Sequence, residues 1–377
     1  MRNLHVLGIV GFRVFPDLMG GQKYVAQYYR ELSKHCSLVL CASKDNEQSE
    51  IENIPFYHFL FNHWKSIGNI FYVLRVAAIV KKHHIDIILI DHSYFGWMGI
   101  CLQAITGKPF TIKSANIEYL RFKETNRPLW QLYKYYEKWV HRKAAHSFFI
   151  TEEDQQTAIQ NFQLTTAATS MLPCFIPKKL AGRSKEEIRK SIIDKYKLIP
   201  STLLFYFNGT LDYAPNVKGI HILLNSIIPL LKQKGVVFKI LITGNRIQPT
   251  VASRLAAESD IIFEGYVTDT SIYHVGTDAF ICMLDSTTGI KTKIVDALAF
   301  QQKVICTASA AKGFTDIDFG KQLAIVKEGD LDGFSNQMAI VSQDAKYRTP
   351  DSFYQKHDTH RIIADSLLSL RYAAKLH

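Results

Sequence analysis

The sequence predicts an α/β protein with two parallel-sheet domains that face a cleft. Three observations support this fold class. Strand-like and helix-like segments alternate along the chain, 377 residues suffice for about two domains, and a polar stretch with Pro173 and Pro177 separates the halves. We expect two Rossmann-like domains over residues 1–176 and 177–358, followed by a helix over 359–377 that packs on the first domain.

The first half contains five strand-like segments. Each is a short, mainly apolar run next to turn or charged residues, as buried parallel strands are. The segments are LHVLGIV (4–10), SLVLCA (37–42), DIILID (86–91), PFTIKS (109–114) and SFFIT (147–151). Helical spacing of apolar residues predicts connecting helices over 22–35 and 67–83.

The second half repeats this alternation. Its strand-like segments are LLFYFNG (203–209), FKILITG (238–244), IIFEG (261–265), AFICML (279–284), KVICT (303–307) and LAIV (323–326). Before KVICT, the spacing of Ile290, Ile294, Ala297 and Leu298 predicts one buried helix face that begins near Gly289. Such a helix start lies at the carboxyl edge of the sheet, where free backbone N–H groups and the helix dipole bind anions.

Composition excludes several classes of protein. Hydrophobic residues make up 47% and charged residues 21%, which is typical of a folded soluble chain. The N-terminal apolar patch suits a first strand better than a signal peptide, and each apolar window is too short for a membrane span. Six cysteines without a CxxC pair indicate buried thiols rather than disulfides or a zinc site. We therefore expect a cytoplasmic protein.

The net charge of +11 predicts an anionic partner. Between Lys108 and Lys143 nine cations face three acids, a net charge of +6. One helical face there carries Leu129, Leu132, Tyr133, Tyr136, Trp139 and Val140, and the opposite stripe carries Lys134, Lys138 and Arg142. This pattern favours peripheral attachment to an anionic membrane surface on its inner face, with a merely solvated basic face as the equal alternative. The cations lack a nucleic-acid-binding motif around them, so no nucleic acid is expected.

Several motifs occur in the order typical of one enzyme family. Gly289, Ile290, Lys291, Lys293, Ile294, Ala297 and Ala299 share the spacing of a donor-binding segment, with Asp296 where the family has glutamate. FNGTLDYAPNVKGIHILL from Phe207, IIFEGYVTD from Ile261, MGGQKYVAQYYRELSKH from Met19 and SANIEYLR from Ser114 match further segments. The chain thus resembles the GT-B glycosyltransferases of the retaining family 4, also called group 1.

Three positions depart from the family pattern. Thr288 occupies the position of the earlier of two acids, with Asp285 nearby at a different spacing. Thr210 replaces an arginine, which leaves Lys218 as the matching cation, and Ala115 replaces the histidine of a His-Asn pair.

The resemblance implies a set of site residues. Lys218, Lys293 and Asp296 are the predicted catalytic residues, the lysines for the leaving diphosphate and Asp296 for the donor ribose. The remaining predicted donor-binding residues are Gly20, Gly21, Gly209, Thr210, Gly244, Val267, Thr288, Gly289, Ile290, Lys291 and Ile294. His92, Asn116 and Glu118 are the predicted acceptor-side residues. The alternatives are exposed lysines, a surface Asp296–Lys293 pair, ordinary glycine turns and a structural His92.

The implied function is transfer of a sugar from a nucleotide-sugar donor to a glycan or lipid-linked acceptor, with retention. We expect no metal and no other cofactor, and a role in the synthesis of cell-surface polysaccharide or glycolipid. Two alternatives stay open. One is a catalytically idle GT-B protein that binds a nucleotide sugar or a glycan-assembly partner, favoured by Thr288, Thr210 and Ala115. The other is a nucleotide-sugar epimerase.

Overall fold

The structure is a computed structural model that describes residues 2–17, 20–47, 51, 53–177, 180, 182–285, 288–343 and 346–376, without the side chains of 63–65. The chain divides into two compact units. Unit 1 comprises Met1–Phe175 with Lys356–His377, and unit 2 comprises Ile176–Gln355.

Unit 1 contains a seven-stranded sheet in the order β3-β2-β1-β4-β5-β6-β7. Its strands are β1 His5–Val10, β2 Ser37–Ser43, β3 Phe56–Leu60, β4 Ile87–Asp91, β5 Phe110–Ser114, β6 His146–Phe149 and β7 Thr169–Met171. All neighbouring strands are parallel. The central strands are buried on both faces, which explains their continuous apolar sequences.

Six α-helices of unit 1 come before β7 in the chain. They are α1 Gly20–Leu32, α2 Val73–Lys82, α3 Gly96–Thr106, α4 Glu118–Glu124, α5 Trp130–Lys143 and α6 Glu152–Phe162. A 3-10 helix, His63–Tyr72, leads into α2. Helices α2, α3 and α5 share one hydrophobic cluster with the sheet, through Val76, Met98 and Val140 against Ile90 and Ile112. These three helices therefore lie on the same face of the sheet.

Unit 2 contains a six-stranded parallel sheet in the order β10-β9-β8-β11-β12-β13. Its strands are β8 Leu203–Asn208, β9 Phe238–Thr243, β10 Ile261–Gly265, β11 Ala279–Cys282, β12 Lys303–Thr307 and β13 Leu323–Val326. Its helices are α7 Lys185–Tyr196, α8 Ala214–Ile222, α9 Ile228–Gln233, α10 Pro249–Ala257, α11 Ser271–Gly276, α12 Thr292–Ala299, α13 Leu331–Ala339 and α14 Asp351–Lys356. A π-helical turn joins α8 to α9.

The C-terminal helix α15, Thr359–Ala373, belongs to unit 1. It contacts α1, β5 and β6, and the hydroxyls of Tyr28 and Ser366 lie 2.6 Å apart. The Lys113 side chain of β5 points to this face of the sheet, among the tyrosines of α1. Because side chains alternate along a strand, α1 and α15 cover the face opposite to α2, α3 and α5.

The two parallel-sheet α/β domains that the sequence predicts are confirmed, and each of the eleven strands predicted from sequence is present. Two strands were missed, β3 and β7, which lie at the two edges of the first sheet. The helix expected to begin near Gly289 begins at Thr292, so Gly289 and Ile290 lie in the loop before it. The segment predicted as one helix over 67–83 is the 3-10 helix followed by α2.

The apolar face predicted for α5 is wrong in part. Val140 is buried and Tyr133 and Tyr136 are partly buried, whereas Leu129, Leu132 and Trp139 are exposed. Leu129 also lies before the helix, in a left-handed backbone conformation.

Five of the six cysteines are buried, as the sequence predicted, and Cys101 is partly exposed. None of the helices within the described residues is long and apolar enough to cross a membrane.

Candidate functional site

The second sheet has a topological switch point between β8 and β11. From β8 the chain continues toward β9 on one side, whereas β11, β12 and β13 lie on the other. The loops that follow β8 and β11 therefore diverge, which opens a crevice at the carboxyl edge of a parallel sheet. Helix α8 follows β8 and helix α12 follows β11, so Lys218 and the segment 288–296 are brought to this crevice. We call it the unit 2 crevice.

Lys293 crosses the unit 2 crevice from α12. Its Nζ donates to the backbone oxygen of Asn208 at 3.0 Å and to Oδ1 of Asn216 at 2.9 Å. It also lies 5.0 Å from the centroid of the Phe207 ring. These partners are neutral, so no carboxylate cancels the lysine charge among them. Burial lowers the pKa of Lys293 because desolvation disfavours the charged form.

Lys218 crosses the same crevice in the opposite direction. Its Nζ forms an ion pair with the carboxylate of Asp285, which follows β11. Both side chains are largely exposed, at 62% and 47%. An exposed pair of this kind contributes little to stability, about 0–1 kcal/mol.

The loop before α12 is closed by its own lysine. Gly289 has a φ of +68°, a left-handed conformation that glycine adopts without strain. Nζ of Lys291 donates to the backbone oxygens of Thr288 and Gly289 at 2.8 and 3.0 Å. Ile290 is partly buried and Ile294 is fully buried in the core of unit 2. Thr287 and Ser286 lie outside the described residues.

Gly209 and Gly244 directly follow β8 and β9, and close packing explains both glycines. A Cβ on Gly244 would lie 2.1 Å from the backbone oxygen of Gly209, and one on Gly209 would lie 2.6 Å from Nδ2 of Asn216. No side chain fits in either place. The backbone oxygen of Thr210 accepts a hydrogen bond from Asn216 at 2.9 Å, which fixes the turn that Lys293 also binds.

Asp296 and Val267 occupy the surroundings of the crevice. Asp296 is partly exposed on α12, one turn after Lys293. Burial is the main cause that raises the pKa of Tyr206, and the nearby charge of Asp296 adds to it. Val267 is partly buried in the segment after β10.

The first sheet has its own switch point, between β1 and β4, and His92 lies there. His92 directly follows β4 and has φ +65° and ψ 147°, a conformation that is nearly restricted to glycine. Its ring packs edge-on against Phe12, which follows β1, at 5.0 Å between centroids. Backbone strain of this kind costs about 1–3 kcal/mol and is concentrated at functional sites. We call this place the unit 1 switch point.

Glu118 joins His92 to a network of polar side chains. Its Oε1 lies 3.4 Å from Nδ1 of His92 and 3.4 Å from Nδ2 of Asn116. Its Oε2 accepts hydrogen bonds from Tyr94 at 2.5 Å and from Arg121 at 2.7 Å. Burial alone would raise the pKa of Glu118, but the histidine, the arginine and the tyrosine outweigh it and hold the pKa at about 2. The three predicted acceptor-side residues therefore lie together.

Sequence reasoning missed three members of this network: Tyr94, Arg121 and Glu137. Arg121 was assigned to a basic surface, but it pairs with Glu118. Glu137 is buried and accepts hydrogen bonds from the backbone N–H groups of Glu118 and Tyr119 at 3.0 and 2.9 Å. Burial raises the pKa of Glu137 to about 8. The three-residue spacing of Glu118 and Arg121 on one helix was the signal that could have identified their pair.

Gly20 and Gly21 form the first turn of α1 and are exposed. A Cβ on Gly21 would meet no atom within 4 Å, so local packing does not require a glycine there. Across the described part of the chain, no group of three or more histidine, cysteine or acidic side chains is placed to hold a metal ion.

Comparison with known proteins agrees with this architecture. The sequence profile described as glycosyl transferases group 1 matches residues 202–344, and the profile described as glycosyltransferase family 4 matches residues 19–179. No curated protein matches the chain in sequence.

Solved structures share the fold along their whole length. A glycosyltransferase from Rickettsia africae ESF-5 has a TM-score of 0.72 at 12% identity, with 100% of both chains covered. Alr3699/HepE from Anabaena, crystallised with UDP and glucose, has a TM-score of 0.70 at 14% identity, with 98% of this chain and 100% of that chain covered. The lipopolysaccharide outer core galactosyltransferase WaaB has a TM-score of 0.66 at 13% identity, with 97% of this chain and 99% of that chain covered.

Fold and profiles together define a glycosyltransferase of the GT-B class. Within that class, the chain belongs to the group 1 glycosyltransferases.

Proposed function

We propose that the protein transfers a sugar, with retention, from a nucleotide-sugar donor held at the unit 2 crevice to a glycan or lipid-linked acceptor held at the unit 1 switch point. The observation that carries the donor assignment is Lys293, a partly buried cation whose hydrogen-bond partners are neutral oxygens. A lysine in this environment attracts an anion strongly because little competing charge and little water surround it.

The two lysines have different tasks in this proposal. Lys293 is held by the β8–α8 turn and stabilises the charge that develops on the leaving diphosphate. Lys218 exchanges its exposed partner Asp285 for a phosphate oxygen when the donor binds. Backbone N–H groups at the start of α12 supply further donors. The charge is then neutralised without a metal ion.

Asp296 binds the donor ribose, and the neighbouring proteins support a nucleotide of this kind. An ionised carboxylate on a helix is a fixed acceptor for two hydroxyl groups. Alr3699/HepE was solved with UDP and with UDP-glucose, which favours a uridine nucleotide here as the first donor to test.

The acceptor binds near His92, Asn116 and Glu118. Glu118 already receives hydrogen bonds from Tyr94 and Arg121, so its role is to orient His92 rather than to bind the acceptor directly. With Nδ1 of His92 next to a carboxylate, Nε2 is left to accept a proton or a hydrogen bond from an acceptor hydroxyl.

We place the reaction in the synthesis of a cell-surface polysaccharide or glycolipid, at the inner face of a membrane. The support is the basic segment around α5, where Leu132, Tyr135 and Trp139 are exposed beside Lys134 and Lys138. A chain with this pattern reaches a lipid-linked acceptor at the bilayer surface.

Donor turnover without an acceptor is the direct test. We expect slow release of UDP from UDP-sugars in the wild type, and loss of this release in Lys293→Met. A protein that binds UDP but never releases it from any sugar nucleotide would be the idle alternative. Interconversion of the sugar without release of its nucleotide would indicate an epimerase instead.

A further inference from the structure

Unit 1 carries a row of exposed apolar side chains that the proposed chemistry does not use. Ile67, Ile70 and Phe71 in the 3-10 helix are 82%, 60% and 86% exposed, and Leu74 at the start of α2 is 73% exposed. All four side chains are exposed along the segment in which the 3-10 helix runs into α2. We call these four residues the apolar stripe. Contiguous exposure of large apolar groups marks an interaction surface.

The apolar stripe is held in place by the layer beneath it. The Asn69 side chain, fully buried, accepts from the backbone N–H of Phe61 at 2.7 Å and donates to its carbonyl at 2.9 Å. The Tyr72 ring packs against the rings of Phe59 and Phe61 at 5.1 and 5.5 Å between centroids. These four contacts fix the backbone that displays the stripe, so its exposure is a built feature of the fold.

The charge around the apolar stripe is positive. Residues 53–85 contain no aspartate or glutamate, and they contain Lys65, Arg75, Lys81 and Lys82. The Arg75 guanidinium lies 4.2 Å from the Phe59 ring centroid, beside Leu74 in sequence. Protein interfaces surround an apolar centre with a polar rim of mixed character, whereas an anionic bilayer presents negative head groups above acyl chains. Asp45, from the segment after β2, accepts a hydrogen bond from Asn62 at 3.1 Å, but the cations of residues 53–85 outnumber this acid. This positive excess favours the bilayer.

A second exposed apolar and basic element lies on the same side of the sheet. Helices α2, α3 and α5 share one hydrophobic cluster, and α3 contacts both of the others. Trp139 and Tyr135 of α5 are exposed next to Lys134 and Lys138. Apolar groups and cations from two separate elements therefore lie on one helical layer of unit 1.

We propose that the apolar stripe inserts into the interfacial region of an anionic bilayer, with Arg75 at the level of the head groups and the α5 cations on the same helical layer of unit 1. The inference rests on the membrane attachment proposed above and assigns its hydrophobic part. Cations alone give binding that salt removes, whereas inserted apolar side chains give binding that persists in salt.

Vesicle co-sedimentation tests the apolar stripe. The full chain is mixed with vesicles of phosphatidylglycerol and phosphatidylethanolamine, and the triple variant Ile67→Ser, Phe71→Ser, Leu74→Ser is compared with the wild type. We expect the variant to lose at least about tenfold in partitioning, with an unchanged thermal midpoint because these side chains are exposed. Leu368→Ser is the matched control, since Leu368 is 64% exposed on α15, across the sheet. It should bind like the wild type.

The salt dependence of binding and the depth of insertion distinguish insertion of the apolar stripe from attachment by cations alone. In the wild type, part of the binding should persist at 0.5 M salt, and Phe71→Trp should be quenched by lipids brominated on their acyl chains. If the triple variant binds vesicles as well as the wild type does, insertion of the apolar stripe is wrong and the α5 cations are the anchor. A wild type that binds no vesicles would overturn both proposals. A dimer that the triple variant abolishes, without vesicle binding, would assign the stripe to a second copy of the chain.

Discussion

Two lysines, a buried one in unit 1 and a partly buried one in unit 2, differ in how their charge is balanced. Lys113 on β5 lies 2.7 Å from the carboxylate of Asp91 and is surrounded by the rings of Tyr24, Tyr28 and Tyr29. Lys293 in unit 2 contacts a backbone oxygen and an amide oxygen. Burial lowers the pKa of both lysines, but only the pKa of Lys113 is raised again by a carboxylate.

The difference separates a structural lysine from the lysine that we propose binds the donor. A buried lysine that already pairs with a carboxylate gains little from a further anion, whereas a lysine held by neutral dipoles gains from one. The edge of the sheet at which a lysine lies also matters for anion binding. Lys303 also contacts a backbone oxygen, that of Lys321, but it begins β12 and lies at the amino edge, away from the switch point. A neutral environment at the carboxyl edge is what predicts an anion site.

The largest expected effect comes from breaking the structural pair. Asp91→Asn leaves Lys113 without its carboxylate, which should lower the free energy of unfolding by about 3–5 kcal/mol. Urea denaturation measures this loss. The double variant Asp91→Asn, Lys113→Met should recover most of it, because no buried charge then remains. If the single variant unfolds at the wild-type urea concentration, the pair is not a stabilising partner of the fold.

Lys293→Met should affect turnover rather than stability. Loss of a cation that acts on the leaving group costs about 2–4 kcal/mol in the transition state, or roughly 30- to 1000-fold in kcat, with a smaller change in donor affinity. Steady-state kinetics with the donor gives both values. Lys303→Met is the control, since it removes a similarly placed lysine from the other edge of the sheet. Equal loss in both variants would attribute the effect to packing.

Asp296→Asn tests the ribose contact. The variant keeps the shape of the side chain but loses charge-assisted hydrogen bonds, each worth about 1.5–3 kcal/mol. The affinities for the donor and for free nucleoside diphosphate should fall together, as measured by isothermal titration. An unchanged nucleotide affinity with an intact circular dichroism spectrum would mean that Asp296 has a surface role only.

Burial also affects the charge of histidines, because it disfavours their protonated form. Burial lowers the pKa of His141 to about 3 and that of His274 to about 4, below the ordinary value of 6.5. The unfolded chain therefore binds protons that the folded chain does not as the pH falls below about 6.5. Stability should decrease by about 1.4 kcal/mol per pH unit for each such histidine down to its folded pKa.

Denaturation at pH 7, 6 and 5 measures this dependence. His141→Gln removes one titrating group and keeps polar atoms for Ser114 and Ser147, so its pH slope should be shallower than that of the wild type. An identical slope would show that His141 does not contribute.

The sequence predicted the buried parts of the fold best. Central parallel strands such as β4 and β8 are continuous apolar runs because both faces are covered. The edge strand β3 is only partly buried and β7 has three residues, so neither leaves such a run. Helix α12 begins at Thr292 rather than near Gly289, where the sequence predicted its start, because the Lys291 side chain closes the preceding loop. That contact has no sequence signature.

The candidate site residues could be named from the sequence, but their partners in the structure could not. The spacing in GIKTKIVDALA indicated Lys293 and Asp296, but Asn208 and Asn216, 77 or more residues away in the chain, decide what Lys293 contacts. His92 was found as a polar residue at a strand end. Its backbone strain and its pairing with Glu118 depend on neighbouring strands. The order of these strands cannot be predicted from a local sequence pattern.

The central claim is that the uncancelled lysine charge at the unit 2 crevice binds the diphosphate of the donor. The most direct measurement is the stability of the wild type and of Lys293→Met in the presence of nucleoside diphosphates, with the matching nucleosides as controls. We predict that UDP or another nucleoside diphosphate, at about 100 times its dissociation constant, stabilises the wild type by about 2.7 kcal/mol. The nucleoside, which lacks the phosphates, should have little effect, and Lys293→Met should bind the diphosphate more weakly. Stabilisation by nucleoside and diphosphate alike, or by none of them, would contradict the account.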